Sequence, residues 1–335
     1  MSDMARCLCA PDSFKGTLSA SVVAQALAAG ARDQGWETDE CPAGDGGEGT
    51  LDALLQLAGA ATTVRARDPY GRWIDARLGL MDARTAVVEM AEASGLARVA
   101  DQPPDPEAAG TEGTGDMILE ARDAGAQRIL VTVGGSATTD GGAGAVEAIR
   151  AGGGLGGARL EILCDVTTPF ENAPAVFGPQ KGADAGAIGR LRARLDALAV
   201  GWPRDPRGVP GTGCAGGLSG GLWANFGAVL HPGADAVLDA LDYDRRVAEC
   251  DVVLTGEGRL DEQTLEGKLV AAVARRANRL GRPVHALVGQ HGLAADGIER
   301  LGLASVLEAG TREGLRVAAR TLLERQPARP QEVTR

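Results

Sequence analysis

The residues of this 335-residue chain that could do chemistry lie in short polar loops, each combining glycine with an acid or a lysine. PDSFKG carries Asp12, Ser13 and Lys15, and AGDGGEGT carries Asp45, Gly46, Gly47 and Glu48. GGSATTDGG sets Ser136 and Asp140 between Gly134, Gly135, Gly141 and Gly142. CDVTTP offers Asp165, GPQKG offers Lys181, and TGEGRLDEQTLEGK offers Glu257, Asp261, Thr264 and Lys268. Taken singly, each is an ordinary turn, because Asp-Gly pairs favour turns. Six such loops at strand ends suit phosphoryl transfer. In that chemistry glycines bring N–H groups onto phosphates, lysines neutralise charge, carboxylates hold Mg²⁺, and a further carboxylate orients the attacking hydroxyl.

Other chemistries lack their residues. No GxxxxGK[ST] segment is present, and no GxGxxG follows the first strand with an acidic partner at the right distance. Three scattered histidines exclude a His-based triad or a His-rich metal site, and the six cysteines show no CxxC pair. Free, mostly buried thiols in a reducing cytosol are expected. A net charge of −11 argues against a nucleic-acid partner. With no signal-peptide-like start and no run of about 18 apolar residues, a cytoplasmic protein without membrane association is expected.

The elements that must position these loops follow from the pattern. Arg6–Ala10 reads as a strand, Ser19 as the N-cap of a helix through Ala31, Glu37–Cys41 as a second strand and Leu51–Leu57 as a second helix. Two strand–loop–helix units in succession imply a parallel α/β sheet with its loops at the strand C-termini. From Thr62 the pattern becomes an antiparallel meander, with turns at 69–71 and 82–84. Ile129–Val133 then runs into the glycines of GGSATTDGGAG, followed by a helix. A strand, a Gly-rich turn and a helix N-terminus together suit an anion. The C-terminal third, from Asp251, returns to alternating strands and helices. The expected layout is therefore one discontinuous α/β domain, residues 1–61 and 245–335, interrupted by a second over 62–244.

APDSFKGTLSA, GDGGEGT, GGSATTDGGAG, VFGPQKGA, GCAGGLSGGL and TGEGRLDEQT–EGK, in this order from about Leu8 to Gly289, resemble the motifs of the bacterial glycerate kinase family. The resemblance implies ATP- and Mg²⁺-dependent phosphorylation of D-glycerate, giving 2-phosphoglycerate (or 3-phosphoglycerate) in organic acid metabolism. It also implies a flavodoxin-like parallel-sheet domain with an inserted α/β domain of mixed, restriction-enzyme-like sheet. The chain departs from the family pattern at Gly44, where alanine is usual, and at Thr139, where asparagine is common. The segment between Ile149 and Ala175 is shorter than usual, which bears on the geometry around Asp165.

Within this frame Lys15, Asp45, Asp140, Lys181 and Asp261 are the candidate catalytic residues. Asp12, Ser13, Gly46, Gly47, Gly134, Gly135, Ser136, Gly141, Gly142 and Thr264 are the candidate substrate and phosphate ligands. Asp165 and Glu257 are the candidate Mg²⁺ ligands, and either Glu257 or Asp261 could be the general base. Arg67 and Arg72 beside the DPYG turn read as a solvated hairpin tip rather than as the glycerate carboxylate anchor. The expected site lies between two domains that close on substrate, in a monomer or homodimer. A non-catalytic sensor of a sugar acid or nucleotide, and a kinase of a related hydroxy acid, are the alternatives.

Overall fold

The computed structural model describes residues 4–14, 16–56, 59–164 and 166–324. The chain begins with β1 (Arg6–Cys9) and β2 (Glu37–Glu40) and continues through β3 (Ala60–Arg67), β4 (Trp73–Leu80), β5 (Thr85–Glu89), β6 (Arg128–Thr132), β7 (Arg159–Cys164) and β8 (Val229–Pro232). It then adds β9 (Val252–Thr255), the short β10 (Arg259–Leu260), β11 (Val284–Val288), the short β12 (Gln290–His291) and β13 (Ser305–Glu308). Two compact units result: residues 1–45 with 234–335, and residues 46–233.

The first unit holds a five-stranded sheet in the order β13-β11-β9-β1-β2, with every described pairing parallel. Counted within the unit, this is the flavodoxin-like order 2-1-3-4-5. β9 and β11 are buried along their whole length, the pattern of a parallel sheet covered on both faces. The Ala20–Arg32 helix starts where Ser19 Oγ accepts the Val22 N–H at 3.3 Å. Its Val23, Ala26 and Leu27 share one core cluster with Cys7, Cys9, Leu254 and Leu315.

The second unit holds a six-stranded mixed sheet in the order β3-β4-β5-β6-β7-β8. The β3–β4–β5 meander is antiparallel, as its turns suggested, and β5 through β8 are parallel. A discontinuous parallel-sheet unit interrupted by a mixed-sheet unit is the architecture expected from the sequence.

The units divide at 45/46 and 233/234, whereas the sequence placed the divisions at 61/62 and 244/245. Packing explains the difference at both ends. The Thr50–Leu55 helix is capped from the meander: buried Glu89 accepts the N–H groups of Gly49 at 2.9 Å and Leu51 at 2.8 Å. At the other end the Gly233–Ala240 helix is tied to the Leu269–Arg279 helix by Arg275, whose Nη2 donates to the Asp235 carboxylate at 2.5 and 2.7 Å. The Gly-rich motif GCAGGLSGGL contains the first turn of a helix over Leu218–Phe226. Its glycines hid the helical spacing.

Candidate active site

In a doubly wound sheet, ligands bind outside the strand C-termini where the strand order reverses. In the first unit that point lies between β1 and β9, and a cleft of about 570 Å³ opens there. Asp12 and Ser13 reach it from the loop after β1, Asp45 from the segment after β2, and Glu257, Asp261 and Lys268 from the segment after β9. Backbone bonds lock the first of these loops to the third: the N–H of Ala10 donates to Leu254 O and that of Asp12 to Gly256 O, both at 2.8 Å. Gly256 is required at its position, because a Cβ would stand 2.1 Å from Leu287 O.

Glu257 is the best-defined acid of the cleft. It is buried, and Thr264 Oγ1 donates to its Oε1 at 2.6 Å. Thr264 is in turn held by its loop: its N–H donates to Asp261 O at 2.9 Å, and its hydroxyl accepts the Asp261 N–H at 3.2 Å. Burial raises the Glu257 carboxyl to about 7, against the lowering effects of Thr264 and Lys268, and Asp45 and Asp261 push in the same direction as burial. Asp12 and Asp45 are also buried, and Asp12 Oδ1 accepts the Ser13 N–H at 2.6 Å. Asp261 is half-buried and pairs with Arg259 at 3.3 Å.

The GGSATTDGG loop belongs to the second unit, at the C-terminal end of β6. It falls into two halves with different duties. In the second half, Asp140 is buried and its carboxylate accepts from Thr111 N–H (3.0 Å), Thr111 Oγ1 (2.7 Å), Gly142 N–H (3.0 Å) and Gly144 N–H (3.1 Å). Thr111 Oγ1 also accepts the Ala145 N–H at 3.0 Å. The anion that the following helix N-terminus holds is therefore the chain's own Asp140. Gly141 is likewise engaged, its N–H donating to Gly216 O at 3.0 Å. Asp140, a candidate catalytic residue, and Gly141 and Gly142, candidate phosphate ligands, are engaged in folding the turn.

The first half is open. No hydrogen bond engages the N–H groups of Gly134, Gly135 and Ser136 among the described residues. Carbonyls fix this stretch from behind, where Gly135 O accepts the Leu96 N–H at 2.9 Å and Ser94 O accepts the Ala137 N–H at 3.0 Å. Gly46 O accepts the Val133 N–H at 3.0 Å, and a Cβ at Gly134 would come within 2.3 Å of Gly47 Cα, so Gly46 and Gly47 brace the loop. Three successive N–H groups without a hydrogen-bond partner on a braced turn are donors of the kind an anion can take.

Lys181 also sits in the second unit, but it points inward. It is 2% exposed, its Nζ donates to Thr138 O at 2.5 Å, and burial lowers its ammonium to about 7 despite the attraction of Asp140. The hydroxyls of Thr138 and Thr139 are buried beside it without a partner among the described residues.

Lys15 and Asp165 lie outside the described residues. The hairpin arginines are ion-paired rather than solvated. Arg67 forks onto Asp116 at 2.8 and 2.7 Å, and Arg72 binds Asp68 and Asp101, so neither is a ready carboxylate anchor. Two contributors carried only weak sequence signals. Lys268 was one lysine in a polar loop, and its place at the start of the Leu269–Arg279 helix is what turns it into the cleft. Glu89 ends an apolar strand, where a buried carboxylate is not anticipated. Among the described residues no three His, Cys, Asp or Glu side chains converge as a ready-made metal cage. Mg²⁺ needs no such cage, since it commonly takes one or two carboxylates with phosphate and water, and the acids of the first-unit cleft suit that donor set.

The chain is similar to known proteins over most of its length. The model of the glycerate kinase family matches residues 7–154 and 153–324. The glycerate 2-kinase of Escherichia coli K12 is 37% identical, the match covering 85% of this chain and 88% of that protein. The glycerate kinase of Bacillus subtilis 168 is 38% identical, with the same coverage of 85% and 88%. A crystal structure from Salmonella typhimurium LT2, assigned as glycerate kinase 2, superposes with a TM-score of 0.83 at 35% identity, covering 96% of this chain and 98% of that one. With its fold, its loop motifs and its relatives in agreement over nearly the whole length, the chain belongs to the glycerate kinase family.

Proposed function

We propose that this protein is an ATP-dependent kinase that phosphorylates the C2 hydroxyl of D-glycerate, yielding 2-phosphoglycerate and ADP. The observation that carries the chemistry is buried Glu257, which lines the first-unit cleft and accepts a hydrogen bond from Thr264 Oγ1. A sugar-acid hydroxyl is a weak nucleophile, so its attack on a phosphoryl group needs a base of pKa near the working pH. Glu257 meets that need, with a carboxyl raised to about 7 and an orientation fixed by Thr264. It takes the role of general base in preference to that of metal ligand. The hydroxyl proton passes to Glu257, the glycerate oxygen forms a bond to the γ-phosphorus, and the bond to the bridging oxygen breaks as ADP leaves.

The other residues divide by charge. Lys268 supplies positive charge to the cleft for an anionic substrate. The N–H groups of Gly134, Gly135 and Ser136 bind phosphate oxygens in the second unit, and Lys15, next to Gly16 in PDSFKG, supplies a cation to the first. Asp12 and Asp45 would hold Mg²⁺ in the first-unit cleft, where it would neutralise ATP phosphate charge; Asp165 keeps the candidate metal role that its motif implies. Lys181 and Asp140 position the phosphate loop from behind. The name of the E. coli relative favours the C2 position. An ADP-coupled assay with D-glycerate, ATP and Mg²⁺ tests the proposal: saturable turnover is expected, and turnover with no glycerate enantiomer contradicts it.

A further inference from the structure

Arginines stand at or just before the start of three neighbouring parallel strands of the second unit. Arg128 and Arg159 open β6 and β7 and are direct partners in register, while Arg84 immediately precedes Thr85, the β5 partner of Arg128. With Arg122 from the Glu112–Asp123 helix they line a cleft of about 660 Å³ at the N-terminal ends of the strands. GGSATTDGG follows β6 at its other end, so this cleft opens at the opposite edge of the same sheet. In a chain of net charge −11, four arginines set against Glu161 as the acid of the lining reverse the sign locally.

Two of these arginines are used by the fold. Arg122 Nη1 donates to the carbonyls of Gly152 at 2.8 Å and Gly154 at 2.5 Å, and its Nε to Asp123 at 2.7 Å. Arg128 forks onto Glu161 at 2.8 and 2.7 Å. Glu161 also faces His231 at 3.5 Å and feels the charge of Arg159. Asp82 is spent on the backbone N–H groups of Arg84 and Thr85. The side chains of Arg84 and Arg159 make no hydrogen bond or ion pair among the described residues, and both are exposed. Arg159 also stands directly opposite Arg128 across β6 and β7, a register in which like charges repel.

We infer that this cleft is a second ligand site, which takes a small phosphorylated organic acid between Arg84 and Arg159. A guanidinium fork matches phosphate and carboxylate oxygens in two-point contact. The volume falls within the range of small-molecule sites and exceeds what a bare inorganic anion fills. Gly125, Gly156 and Gly157 leave the floor without side chains, and no aromatic side chain lines the cleft to stack a nucleobase. Two separated forks and no base platform select a compact dianionic acid over a nucleotide. The site stands apart from the proposed kinase activity and does not depend on it.

Isothermal titration with 2-phosphoglycolate tests the inference on wild type, Arg84→Ser/Arg159→Ser and Glu257→Gln, each checked for folding by circular dichroism. Saturable binding is expected in wild type and in E257Q, weakened at least about tenfold in the double variant, as expected from losing two charge-assisted forks. If the double variant does not fold, Arg84→Ser alone supplies the comparison, because that side chain is exposed and unpaired. No saturable binding to wild type, equal affinity in the arginine variants, loss of binding in E257Q, equal affinity for inorganic phosphate, or tighter binding of ATP at this cleft would each overturn it.

Discussion

The Thr264 hydroxyl donates to Glu257 Oε1 at 2.6 Å, and both side chains are buried, Glu257 at the wall of the first-unit cleft. This bond ties the orientation of the proposed base to the fold of its own loop, because the same hydroxyl accepts the Asp261 N–H. Replacing Glu257 with glutamine keeps the shape and removes the proton acceptor. We expect kcat to fall by about 10²–10⁴ with glycerate KM little changed, the loss usual for a general base. Thr264→Val leaves the carboxylate in place but unoriented, and a smaller loss in kcat is expected. Steady-state kinetics on the two variants check the order of the effects.

Glu257 also makes a stability prediction for the metal-free protein. Its carboxyl is raised by burial to about 7, above its usual value of 4.5. A raised acid contributes most to stability below its unfolded pKa, and that contribution is lost as pH rises through the folded one. Urea unfolding with chelator present is therefore expected to show E257Q gaining on wild type between about pH 4.5 and 7. The difference should reach a few kcal/mol, on the order of 1.4 kcal/mol per pH unit over that window. A flat difference would contradict it.

Lys181 gives the opposite sign. Burial lowers its ammonium to about 7 from 10.5. Between those values the unfolded chain binds a proton that the folded chain does not, so this residue makes stability rise with pH over that window. The Lys181→Met variant removes this dependence. Wild type and variant are compared by urea unfolding at pH 7 and pH 10, where the wild-type stability is expected to gain on that of K181M by a few kcal/mol, on the order of 1.4 kcal/mol per pH unit.

Asp140 is treated as a positioning residue. Its carboxylate accepts four hydrogen bonds from Thr111, Gly142 and Gly144. Asp140→Ala strands those donors in the interior and is expected to cost about 3–5 kcal/mol, as for breaking a buried charged network. Denaturant unfolding reads the loss directly. Stability unchanged in D140A would show that the turn does not depend on this carboxylate.

The sequence already exposed much of this arrangement, because strand, glycine turn and helix signals are local. Val131 and Val133 flank the last residues of β6, and Ser19 caps its helix as its type and place suggested. What stayed hidden is non-local. The sequence could not tell that Asp140 turns back on its own helix while Gly134 to Ser136 remain open, since both halves of GGSATTDGG share one composition. Nor could it tell that Lys181 points inward, because a glycine-bracketed lysine reads the same in a solvated turn and in a core. The unit boundary slipped for the same reason: the Thr50–Leu55 helix is assigned by Glu89, 38 residues beyond Leu51.

Phosphorus NMR of the product tests the central proposal most directly. With D-glycerate, ATP and Mg²⁺, wild type is expected to generate the resonance of 2-phosphoglycerate together with ADP, while E257Q generates it far more slowly. A product that is 3-phosphoglycerate alone would contradict the assignment of the C2 hydroxyl, and the absence of any phosphoglycerate would contradict the kinase itself.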